Sequence, residues 1–132
     1  MRHEDWAIRL AAYIAQHYCA PFEWATNDCA TFAAGWIERA TGEHRFDPLY
    51  NDALSAARLV QAEGGMAAAA SRLLGLGETL ANPQAAQRGD IALVSLDGRE
   101  TLAVVDVDGA FGPGPAGLMH APRTAFVAAW TV

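Results

Sequence analysis

An α+β fold, with helices in the first part of the chain and an antiparallel sheet in the second, is what this sequence of 132 residues predicts, on three observations. Up to about residue 75 the apolar residues recur at helical spacing, whereas from Gly89 they gather in short β-like runs. Glycine breaks, at Thr41-Gly42, Gly64-Gly65 and Gly75-Leu76-Gly77, cut the helical part into separate elements. Helices first and strands second argue for segregated layers. With 52% hydrophobic and 18% charged residues, the chain has the apolar content for one core, so a single domain over 1–132 is expected, helical over about 4–75 and sheet-forming over about 89–132.

The first helix is expected over about residues 4 to 18, where Trp6, Leu10, Tyr13, Ile14 and His17 fall on one stripe. Glu4, Asp5 and Arg9 interrupt what would otherwise resemble a signal peptide. Ala20-Pro21-Phe22 then turns the chain. A second helix from Cys29 to about Ala40 follows from the spacing of Ala30, Phe32, Ala33, Trp36, Ile37 and Ala40, with Gly42 as its left-handed stop. Glu43 to Asn51 reads as a polar loop dotted with aromatic residues. Asp52 caps a third helix running to Glu63, and a short fourth helix spans Met66 to Leu74.

In the second half, DIALVSL (90 to 96) and TLAVVDV (101 to 107) read as two strands joined by a turn at Asp97-Gly98-Arg99-Glu100. A short segment at Ala110-Phe111, a rigid loop GPGPAG, a strand at Leu118 to Ala121 and a last strand from Phe126 to Val132 complete the sheet.

The composition excludes several functions. The net charge of −6 arises from 15 acidic residues against 9 basic ones, all arginine, with no basic run to follow a phosphate backbone, so no nucleic-acid partner is expected. No stretch approaches the ~20 apolar residues of a membrane span, and a soluble protein without membrane insertion is expected. The two cysteines, Cys19 and Cys29, would at most close one short loop. His3, His17 and His44 lack metal-ligand spacing, so neither a metal nor a cofactor is expected. The prolines of Gly112-Pro113-Gly114-Pro115 remove the amide donors that a phosphate cradle requires. Asp106, Asp108 and Gly109 make a turn rather than a calcium loop.

The candidate chemistry centres on Cys29. Asn27 or Asp28 can cap the helix that Cys29 starts, and the helix N-terminus, worth roughly half a positive charge, favours thiolate over thiol. A lowered thiol pKa and a reactive cysteine follow as one expectation. A small buried hydrophobe is the other. Of the four tryptophans, only Trp24, beside the cysteine, is expected outside the core. Trp24, Asn27 and Asp28 are the candidate binding residues.

A tryptophan and a polar loop ahead of Asp28-Cys29, a helix ending in Thr-Gly, a Gly-Gly break and Gly89-Asp90 opening a strand together resemble the NlpC-type cysteine peptidases, with their papain-like fold. More closely, Phe22-x-Trp24, Asp28-Cys29, Thr41-Gly42, Tyr50, Ala56-Ala57-Arg58, Gly64-Gly65, Ala86-x-Arg88-Gly89-Asp90, Gly112-Pro113-Gly114-Pro115, Gly117-Leu118 and the terminal Ala-Trp resemble a family of small proteins encoded among phage and prophage tail genes.

The peptidase resemblance implies Cys29 as the nucleophile and a histidine at the start of the second strand as its base. That strand reads Thr101-Leu102-Ala103-Val104-Val105, so the base is missing, and the small phage family tends to share the departure. His120, in GLMHAP, is the candidate for a relocated base. Two functions follow from the resemblance. One is a tail-tip or baseplate structural or assembly protein, cytoplasmic during assembly and then part of a phage or phage-like particle, with tail proteins as partners. The other is an active cell-wall endopeptidase that cuts peptidoglycan peptide with Cys29 and His120. The loops at 43 to 51 and 112 to 117 are the expected exposed partner surfaces.

Overall fold

The computed structural model describes residues 1–132 and contains four helices followed by a five-stranded antiparallel sheet, the α+β arrangement expected from the sequence. The helices are α1 (Trp6–His17), α2 (Cys29–Thr41), α3 (Ala53–Glu63) and α4 (Met66–Leu73). The strands are β1 (Ile91–Leu96), β2 (Arg99–Asp106), β3 (Gly109–Gly114), β4 (Gly117–Pro122) and β5 (Phe126–Trp130), in the order β4-β3-β2-β1-β5. No helix is long and apolar enough to cross a membrane.

Local chemistry explains where the helices begin and end. Asp28 caps α2 by accepting from the Thr31 amide at 2.9 Å, while the Thr31 hydroxyl accepts from the Asp28 amide, a reciprocal box that settles the cap on Asp28 rather than Asn27. Asp52 and Ser55 repeat the device at the start of α3. Gly42 and Gly64 end α2 and α3 in the left-handed conformation, which glycine adopts without strain.

The sheet is buried on both faces. On one side Phe32, Ala33, Trp36 and Ile37 of α2 pack with Leu10 and Tyr13 of α1 against Ile91, Leu93, Leu102, Val104 and Trp130. Burying Phe32 and Ile37 contributes about 2 kcal/mol apiece by apolar transfer. The Trp36 indole also donates to the Gly89 carbonyl at 2.7 Å, fixing α2 to the entry of β1. The opposite face, with Ala92, Val94, Ala103, Val105, Ala110, Phe126 and Ala129, packs against Leu80, Ala86 and Ala125. Both chain ends meet at Asp90, which is 3% exposed: its carboxylate accepts from the Arg2 guanidinium at 2.7 Å and from the Val132 amide at 3.2 Å.

Three expectations need correction. The turn between β1 and β2 is only Asp97-Gly98, both at positive φ, because Leu96 and Arg99 already pair. Gly112-Pro113-Gly114 is strand and not loop: these residues pair with Met119, Leu118 and Gly117 and are buried, which leaves only Pro115 and Ala116 exposed in the 112–117 segment. Proline is tolerated because the β2–β3 ladder has ended at Val104↔Phe111, so its missing amide removes no rung between those strands. The final strand ends at Trp130 rather than Val132.

Candidate functional site

Cys29 is the first residue of α2 and lies against Leu102 of β2, beyond the end of the β2–β3 ladder. In front of it is a cavity of about 290 Å³, roofed by α3 and α4 and closed at the side by the loop carrying Phe46 and Tyr50. Of its 18 lining residues 16 are hydrophobic, among them Ala56, Val60, Leu73 and Leu102. The two charged ones are Asp28 and Glu100, and none is basic.

Of the two expectations for the thiol, this setting favours the second, a small buried side chain. Burial pushes the Cys29 pKa up; the Leu102 backbone, the Thr101 side chain and the Ala30 backbone offset only part of that, and the Asp28 carboxylate reinforces it. The helix terminus loses because the low-dielectric surroundings penalise the thiolate more than a partial charge favours it. Burial and the Asp28 carboxylate therefore favour the thiol form of Cys29, which is half-buried at the cavity. Both cysteines are free.

Asp28, 1% exposed, is fully engaged by its neighbours. It accepts from the amides of Thr31 and Ala25 at 2.9 and 2.8 Å, and the Tyr50 hydroxyl stands 2.8 Å from each carboxylate oxygen. Ala25 has φ 67°, a left-handed conformation that its bond to Asp28 holds in place. Burial raises the Tyr50 pKa, and the adjacent Asp28 raises it further, so the phenol remains protonated as a donor. Asn27 plays a different part: its side chain donates to the carbonyls of Pro21 and Ala20, tying down the turn before α2. Trp24 is 39% exposed at the cavity, edge-on to Phe22 and Tyr50. Of the three candidate binding residues, Trp24 and Asp28 line the cavity and Asn27 does not.

None of the four histidines lines the cavity that holds the thiol. His120 is exposed on β4, opposite Phe111 with ring centroids 5.2 Å apart. Phe111 in turn pairs with Val104, so two strand spacings, roughly 10 Å, separate His120 from β2. It does not line the cavity. His17 packs on Tyr13 and Phe32, with Nδ1 2.9 Å from the Tyr13 carbonyl. His44 pairs with Asp47 and Glu38 on the surface, and His3 lies against Gly42. No three His, Cys, Asp or Glu side chains are grouped as metal ligands.

Sequence reasoning did not assign Tyr50 to the site, although its place in an otherwise polar loop is a signal that an aromatic side chain turns inward. The apolar positions Ala53, Ala56 and Ala57 of α3 are readable from the sequence, but not that their small side chains line a cavity.

The whole chain, residues 1–132, matches the model of a family described as a domain of unknown function, DUF6950. No curated protein matches it.

Proposed function

We propose, for a chain that belongs to the DUF6950 family, that it is a non-catalytic domain on a degenerate NlpC-like, papain-like fold, serving as a structural or assembly protein of a phage or prophage tail. The single observation that carries the non-catalytic part is the cavity beside Cys29, which no histidine lines. Thr101 and Leu102 occupy the start of the second strand, Tyr50 is held protonated against Asp28, and His120 stands apart on β4. Cysteine peptidases need both a thiolate and a proton donor for the leaving amine. Burial works against the first, and the second would have to come from the Tyr50 hydroxyl, which is already bonded to Asp28.

The cavity argues the same way. The lining is apolar, with Asp28 and Glu100 its two charged residues and no basic residue to pair with a peptide carboxylate. The tail assignment is supported by the ordered series of motifs from Phe22 to the terminal Ala-Trp. It is tested by isolating particles from cells that express an epitope-tagged chain: a stoichiometric band in purified tails supports it. Complete particles from cells in which the chain stays entirely free would overturn it.

A further inference from the structure

The cavity beside Cys29 is too apolar and too open for a residue whose only work is to fill a core. Five alanines of α3 and α4, Ala53, Ala56, Ala57, Ala69 and Ala70, line it where larger side chains would close it. α3 itself buries no residue fully. Trp24 lines the cavity and is also 39% exposed, and Leu49 and Leu54, next in the chain to the lining residues Tyr50 and Ala53, are 79% and 60% exposed. A surface extending beyond the cavity suits a chain segment more than a compact small molecule.

Charge narrows the occupant. Asp28 is saturated by its three partners, but Glu100 is exposed, lines the cavity and takes part in no ion pair. We infer that the cavity is a docking site for a partner peptide that inserts a bulky apolar side chain and sets a neighbouring lysine or arginine against Glu100. The inference rests on the reading that this site holds and does not cut. An apolar anchor in a pocket supplies the affinity, and the exposed ion pair adds selectivity.

The test is an NMR titration of the full chain with three synthetic hexapeptides, identical except that one carries Leu-Arg, one Leu-Glu and one Ser-Arg at its centre, and with decanoate as a fourth probe. Saturable shifts of the Ala53, Ala56 and Ala57 methyls with Leu-Arg are expected, with binding about tenfold weaker for Leu-Glu and none for Ser-Arg. Glu100→Gln is expected to weaken only the Leu-Arg peptide, by about two- to fivefold, the range of an exposed ion pair. Ala56→Trp, which fills the cavity, should abolish the shifts, and Glu100→Gln keeps the test sound if that variant folds poorly. Absence of saturation at millimolar Leu-Arg, equal binding of Leu-Glu, or binding of decanoate in preference to all the peptides would overturn the inference. Mass spectra of the recovered peptides separate the two claims: cleavage refutes the non-catalytic reading, while intact, unbound peptide refutes only the docking.

Discussion

The Tyr50 hydroxyl reaches across from its loop to Asp28, 2.8 Å from both carboxylate oxygens, and so ties the cavity wall to the cap of α2. Tyr50→Phe removes one of three donors to a buried carboxylate. It is expected to destabilise the fold by about 1–3 kcal/mol, the usual cost of stripping a partner from a buried polar group. Urea unfolding measures it, and an unchanged midpoint would show that the bond carries no net stability. Asp28→Ala, which also removes the cap, should cost more.

Cys29 should alkylate slowly. Its pKa is raised by burial, so at pH 8 its labelling with iodoacetamide is expected to be at least about tenfold slower than that of the exposed Cys19, each measured by mass spectrometry in a variant lacking the other cysteine. Faster labelling at Cys29 would restore the activated-thiolate reading.

The same shift makes stability depend on pH. A thiol whose folded pKa lies above its unfolded value of about 8.5 retains its proton in the native state after the unfolded chain has lost it. Stability is therefore complete below that unfolded value and falls as pH rises beyond it. Between pH 7 and 9.5 the wild-type protein should lose more stability than Cys29→Ala, by at most about 1.4 kcal/mol. Parallel pH profiles of the two unfolding midpoints would contradict this.

The contact between Arg2 and Asp90 joins the two ends of the chain, their side chains 15% and 5% exposed. Arg2→Ala leaves a buried carboxylate with only amide donors and is expected to cost about 3–5 kcal/mol. Thermal or urea unfolding checks it, and a loss below about 1 kcal/mol would assign the pair to the weak surface class.

What the sequence made legible was mostly local. Asp28 with Thr31, and Asp52 with Ser55, carry their helix starts in residues three apart, and Gly42 and Gly64 carry the stops. Paired β runs such as 91–96 and 99–106 are visible because hairpin partners are neighbours in the chain. Pro113 hid a strand, since whether proline is tolerated depends on a ladder that ends two residues earlier, a tertiary fact. For Cys29 the sequence left two readings open, an activated thiol and a small buried side chain, and the raised thiol pKa favours the second. Helix position is written locally, but the desolvation that outweighs it comes from packing against Leu102 and beneath α3 and α4. The cavity itself was illegible for the same reason.

Incubation of the purified protein with cell-wall sacculi, beside Cys29→Ser and His120→Ala variants, and quantification of released peptides is the most direct measurement of the central claim. The missing proton donor, a step ordinarily worth ~10²–10⁴-fold, predicts release at background in all three. Release above background by the wild-type protein that disappears in Cys29→Ser would contradict the non-catalytic account, and its loss in His120→Ala as well would identify the base.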